Sequence, residues 1–317
     1  MQFRLLCCLA VLLLGACASV PQSAALQRQA PPELLDPVAL AQVPFFPQDL
    51  YQCGPAALAT VLVVSGVTVT PAELVPLVYL PERKGSFQIE IVAAARSHGR
   101  LAYEIAPELS ALFAQVQAGK PVLVLQNLGV SWYPRWHFAV VKGFDLAERT
   151  VLMNSGVNED YVVSLATFER TWARAQYWGL LVLATGEMPV SADAAVYFRA
   201  VAALEATQPD ADIALAYASG LQRWPDDRDL LMGYGNLAYG NGDVATAAAR
   251  FARVIALHED YAPAWNNLAQ ILYERGELMA ARAHALRAVM LGGAFSGTYS
   301  ETLATIEAGM QRAATPR

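Results

Sequence analysis

The stretch Gln48-Asp-Leu-Tyr-Gln-Cys53-Gly54-Pro55-Ala-Ala-Leu-Ala-Thr-Val-Leu62 decides how this 317-residue chain is read. Cys53 stands at the start of a long apolar run that Gly66 closes, which predicts a buried helix from Cys53 to Ser65. Peptide N–H groups at a helix start carry partial positive charge and favour thiolate over thiol. Gln48, a short way upstream, carries an amide that can donate to a developing oxyanion. A cysteine in that setting is a candidate nucleophile.

A thiol nucleophile needs an imidazole, and the imidazole needs a partner that orients it. The chain has four histidines. His98 lies in Ser-His-Gly at a predicted helix end, and His258 and His284 lie in the alanine-rich C-terminal part. His137 opens the strand-like run His137-Phe-Ala-Val-Val-Lys-Gly-Phe144, directly after the loop-like residues 128–136, and is the candidate base. A second strand-like run, Thr150-Val-Leu-Met-Asn154, follows. If Asp145 to Glu148 form the turn between them, Phe144 pairs with Arg149 and Asn154 lies opposite Ala139. Asn154 then shares a sheet face with His137 as its diagonal neighbour and can hold the ring. Asp145 is the competitor for that role, although its place suits turn formation.

Gln-(four residues)-Cys-Gly-Pro-Ala-Ala-Leu, then Trp136-His-Phe-Ala-Val-Val-Lys-Gly-Phe-Asp145, then Val151-Leu-Met-Asn154 resembles the bacteriocin-processing, double-glycine cysteine peptidases. The resemblance covers residues 43–186 and implies a papain-like domain with Cys53 as nucleophile, His137 as general base and Gln48 in the oxyanion hole. Asn154 falls where those peptidases usually carry Asp followed by Pro; here the pair is Asn154-Ser155. An asparagine also orients the imidazole in papain-like enzymes, but it stabilises the imidazolium less than a carboxylate does.

Outside this segment the chain has three further regions. Residues 1–17 read as a positive start, an apolar run and Leu14-Gly15-Ala16-Cys17, a secretory signal that resembles a bacterial lipobox. Lipid on Cys17 and Ala18 after it imply an outer-membrane lipoprotein facing the periplasm. Residues 18–42, rich in Pro, Gln, Ala and Leu, read as a tether. Export also bears on Cys53. The chain has four cysteines, and Cys7, Cys8 and Cys17 all fall in the signal. The mature part therefore cannot close an internal disulfide, and a free thiol in an oxidising compartment calls for a catalytic reason.

From about residue 191 a period of 34 residues replaces the strand signal. Trp265, Leu268, Ala269, Leu272, Gly276, Ala281, Ala285 and Ala288 are matched by Leu231, Tyr234, Gly235, Ala238, Gly242, Ala247, Phe251 and Val254. A third, weaker copy runs from Tyr197 to Gly220, with Gln208 in place of the turn glycine. The period and the small residues resemble the tetratricopeptide repeat, a pair of closely crossing helices per unit. Residues 191–312 are thus expected to bind a protein partner, with 296–312 as the capping helix.

The expected fold is an α+β papain-like peptidase domain, helices first and antiparallel sheet after, followed by an all-α repeat solenoid. The expected function is cleavage of a peptide or protein substrate by a membrane-anchored cysteine peptidase. The alternatives are a peptide-binding lipoprotein without catalysis and a cysteine-dependent amidase or acyl transferase. No His/Cys cluster has metal-ligand spacing, no Gly-x-x-x-x-Gly-Lys-Ser/Thr occurs, and a net charge of −6 without a basic patch argues against nucleic acid. No cofactor is expected.

Overall fold

The computed structural model describes residues 20–48, 52–205, 207 and 210–314. The expected signal segment with Cys17, and also Gln208, lie outside the described residues. The chain forms two compact units. One ends at Ala184 and also takes Pro189–Ala192; the other holds Thr185–Met188 and everything from Asp193 on.

The N-terminal unit starts with helix α1 (Pro21–Arg28) and a two-residue strand β1 (Val38–Ala39). Helices α2 (Cys53–Val64), α3 (Pro71–Val78) and α4 (Gln88–Ser97) follow, and α2 ends one residue short of the expected Ser65. Glu73 accepts from the Thr70 backbone N–H at 2.7 Å, the capping box that the sequence spells out at the start of α3. After strand β2 (Leu101–Glu104) and helix α5 (Leu109–Gln117) come β3 (Val122–Asn127), β4 (Trp136–Asp145), β5 (Thr150–Ser155) and β6 (Asn158–Ser164). Helix α6 (Leu165–Ala173) and strand β7 (Gly179–Leu183) close the unit. The strands form one sheet in the order β2-β7-β3-β4-β5-β6, and every pairing in it is antiparallel. Strand β4 pairs with β3 over Trp136–Val141, and β1 takes over beyond it, opposite Gly143 and Phe144. Helix α2 is apolar all round and packs on β4, with Leu58, Ala59 and Leu62 fully buried.

Two expectations need correction. Residues 20–42 are no loose tether. The Gln22 and Ser23 backbone N–H groups donate to the fully buried Glu169 carboxylate at 2.9 and 2.6 Å, and Leu26, Leu34 and Leu40 are buried. The carboxylate satisfies donors that the start of α1 would otherwise leave open, and three leucines find a core. The second correction concerns register. The turn is Leu146–Arg149, one residue later than expected, so Phe144 pairs with Val151 and Asp145 with Thr150. A bulge at Lys142 then shifts the pairing again and puts Asn154 opposite Val140. Lys142 is 2% exposed and pairs with Asp160 at 2.6 Å, a long-range partner that local pattern cannot supply.

The C-terminal unit is helical: α7 (Ala194–Glu205), α8 (Asp210–Arg223), α9 (Arg228–Gly240), α10 (Val244–Leu257), α11 (Ala262–Glu274), α12 (Leu278–Leu291) and α13 (Ser296–Ala314). The first residues of α7, α9, α11 and α13 each lie 34 residues apart, as do those of α8, α10 and α12. Sequential helices pack on one another, and many of the recurring positions are buried, among them Val201, Ala238, Ala247, Phe251, Ala269, Ala281 and Ala285. Gly235 is required for this packing: a Cβ there would come within 2.6 Å of the Phe251 ring.

Candidate active site

Cys53 is the first residue of α2, so its thiol sits at the helix start, and it is half-buried. Gln48, Cys53, Phe138, Asn154, Ser155 and Gly156 line one cavity of about 10 Å³, the size of a single water. Gln48 is fastened there by its backbone N–H, which donates to the Gly156 carbonyl at 3.4 Å. Its amide nitrogen lies 3.7 Å from the point where a Cβ on Gly156 would stand, and His137 Cε1 lies 4.0 Å from the same point. Gly156, at φ +68°, therefore separates the amide from the ring with no side chain of its own.

His137 finds a partner that the sequence reading missed. Its Nε2 and the Ser155 hydroxyl are 2.9 Å apart. Asn154, the expected partner, is engaged elsewhere: its amide donates to the Pro44 carbonyl at 3.1 Å and its oxygen accepts from the Asp160 N–H at 3.4 Å. The register explains the exchange. Opposite Val140, Asn154 shares that residue's face, while the odd positions of β4 and Ser155 share the other. The diagonal-neighbour logic applies to Ser155 once the strand is shifted by one residue. The competing Asp145 caps its own turn, accepting from the Glu148 N–H at 2.9 Å. The remaining ring contacts have ordinary explanations: His98 and His284 meet the carbonyls of Ala94 and Ala280 four residues back.

The electrostatics differ from the expected thiolate. Burial pushes the Cys53 thiol up, and backbone hydrogen bonds from Phe138, then Gly54 and Cys53 itself, only partly oppose this. Burial also pushes His137 down to about 4, assisted by the Arg135 guanidinium charge. At neutral pH the resting site thus holds a thiol and a neutral imidazole. With Nε2 at the Ser155 hydroxyl, Nδ1 is the ring nitrogen left to take a proton.

Residues 40–179, within the N-terminal unit, match the model of the Peptidase_C39 like family. Among solved structures, a protein from Bacillus anthracis described as a C39-like peptidase is 18% identical, spans 47% of this chain and 98% of its own, and has a TM-score of 0.41. The peptidase domain of Streptococcus ComA, a bifunctional ABC transporter involved in quorum sensing, is 22% identical over 45% of this chain and 97% of its own, at a TM-score of 0.36. The first TPR of Spaghetti (RPAP3), bound to an HSP90 peptide, is 16% identical over 38% of this chain and 98% of its own, at a TM-score of 0.35. None of the curated proteins compared with the chain matches it.

Proposed function

We propose that this protein is a cysteine peptidase in which Cys53 attacks a peptide carbonyl and His137 manages the protons. The observation that carries the reading is the gathering of Cys53, Gln48 and Ser155 around one cavity, with the His137 ring held on Ser155. As Cys53 Sγ bonds to the carbonyl carbon, its proton passes to the neutral imidazole. The Gln48 amide and the Cys53 N–H stabilise the oxyanion. The imidazolium then protonates the leaving amine as the C–N bond breaks. In the second half His137 takes a proton from water, the hydroxide attacks the thioester, and the proton returns to sulfur. Asn154 serves this site by holding the segment at Pro44, not by orienting the ring.

Two further parts belong to the same proposal. Cys17 carries lipid and holds the protein on the periplasmic side of the outer membrane. The helical unit is a tetratricopeptide-repeat module that binds a protein partner, which its 34-residue helix spacing supports. The raised thiol favours the non-catalytic alternative, a peptide-binding protein with a peptidase-like fold. A thiol-reactive peptidyl probe separates the two: a peptidase is labelled at Cys53 with saturation kinetics, Cys53→Ala is not labelled, and His137→Ala is labelled far more slowly. Equal labelling of wild type and His137→Ala would leave the non-catalytic reading. Cys17→Ala should release a soluble form, and a wild type that is already soluble would remove the anchor.

A further inference from the structure

The C-terminal unit contains a cavity of about 560 Å³, walled by residues of α7, α9 and α11, by Tyr217 of α8 and by the start of α13. Its lining is aromatic, with Phe198, Tyr217, Tyr261, Phe295 and Tyr299, and its two charged lining residues are Glu205 and Asp229. Among the described lining residues there is no Lys, Arg or His. Three asparagines form a relay along the wall. The Asn266 amide donates to Asn267 at 3.4 Å, and the Asn267 amide donates to Asn236 at 3.0 Å. The relay runs one way, so its acceptor end is open. Asn266 Oδ1 is buried, in a residue only 9% exposed, and has no hydrogen-bond partner. A buried acceptor of that kind costs free energy until a donor reaches it.

We infer that this cavity takes an extended peptide of the partner protein by an arginine side chain, with the guanidinium between aromatic rings and bonded to Glu205 and Asn266. This deepens the reading of the helical unit as a protein-binding module and rests on it. The guanidinium is planar, carries five donors and stacks on aromatic faces, and the cavity presents acceptors and rings. Glu205 already accepts the Tyr217 hydroxyl at 2.8 Å, and a carboxylate has lone pairs for further donors. The chain itself displays the pattern at the rim. The Arg228 guanidinium stands 4.7 Å over the Tyr261 ring and pairs with Asp229 at 2.9 Å. That rim pair is about half exposed, which makes Asp229 a weak competitor for its own arginine; the remaining acceptors are the exposed Glu205 carboxylate at the end of α7 and the buried Asn266 Oδ1.

The test uses the full chain carrying Cys53→Ala, so that no peptide is cut. Four pools of random decapeptides, each with one central position fixed as Arg, Lys, citrulline or Glu, are measured for retention. The Arg pool should be held best, and citrulline, which keeps the shape without the charge, about tenfold less well. Glu205→Gln, which changes charge but not size, should cut Arg-pool retention about tenfold and abolish its preference over citrulline. Equal retention of the Arg and Glu pools, or an unchanged Glu205→Gln, would overturn the arginine assignment while the peptide-binding reading stands. Retention of no pool would overturn both.

Discussion

The two units build their interiors by different rules. In the helical unit the next contact is the next helix, and α7 to α13 repeat one local solution at a fixed spacing. In the N-terminal unit the decisive contacts are remote: Gln22 with Glu169, Lys142 with Asp160, Val38 with Phe144. Local periodicity tolerates a weak copy, because each helix pair needs only its neighbour. A sheet has no such tolerance, since one residue of slip moves every side chain to the other face. The candidate site residues belong to the second kind of structure, and the partner of His137 is set by its strand pairing.

The sharpest way to break this comparison is to remove histidines from both units. His137→Ala should slow peptidyl-probe labelling of Cys53 by about 100-fold or more, the usual worth of a positioned base. His258→Ala and His284→Ala should leave it unchanged. Within the site, Ser155→Ala should cost about tenfold while Asn154→Ala costs stability first, in line with one lost hydrogen bond to a ring that remains in place. If Asn154→Ala slows labelling more than Ser155→Ala at equal folded fraction, the ring is oriented by Asn154 after all.

Charge deletion gives the next largest effect. Asp160→Asn leaves Lys142 buried without its ion and should cost about 2–3 kcal/mol, below the full range for a buried pair because Asp160 is 61% exposed. Asp226→Asn in the helical unit breaks its pair with Arg253, both about half exposed, and should cost less than about 1 kcal/mol. Urea midpoints of the two variants measure the difference, and equal shifts would mean that Lys142 reaches water. Glycine replacement repeats the contrast. A Cβ at Gly143 would stand within 2.4 Å of the Val38 carbonyl, so Gly143→Ala must displace β1. A Cβ at Gly276 meets open space, and only its φ of +78° opposes it, at a cost of about 1 kcal/mol. Thermal melts should place Gly143→Ala well below Gly276→Ala.

The last contrast is the pH dependence. His137 is held at about 4, below an unfolded value of about 6.5, so the fold favours its neutral form. Its stabilising contribution is complete above about pH 6.5 and is lost as pH falls toward 4, with a slope of at most about 1.4 kcal/mol per pH unit. His137→Gln should flatten that slope. The raised thiol makes the companion prediction: alkylation of Cys53 by iodoacetamide should be slow at pH 6 and still rising at pH 9. A plateau by pH 7 would restore the thiolate–imidazolium pair expected from the helix start.

By itself the sequence determined helix α2, the strand pair β4 and β5 and the 34-residue helix spacing, because apolar periodicity and glycine stops act within a few residues of where they are written. It also singled out Cys53, Gln48 and His137, since a lone cysteine and few histidines leave little choice. The tertiary structure decided what these residues meet. Strands β2 and β6 carry weak local patterns, β6 being exposed along nearly its whole length, and they form because neighbouring strands offer hydrogen bonds. Residues 20–42 look like linker until Glu169, some 147 positions away, closes on α1. The bulge at Lys142 and the late turn at Leu146–Arg149 give His137 to Ser155 rather than Asn154. Burial then overrides the helix start at Cys53, because desolvation of a charge outweighs the partial charges of a few peptide groups. Register and burial are sums over the whole fold, and no window of the sequence contains them.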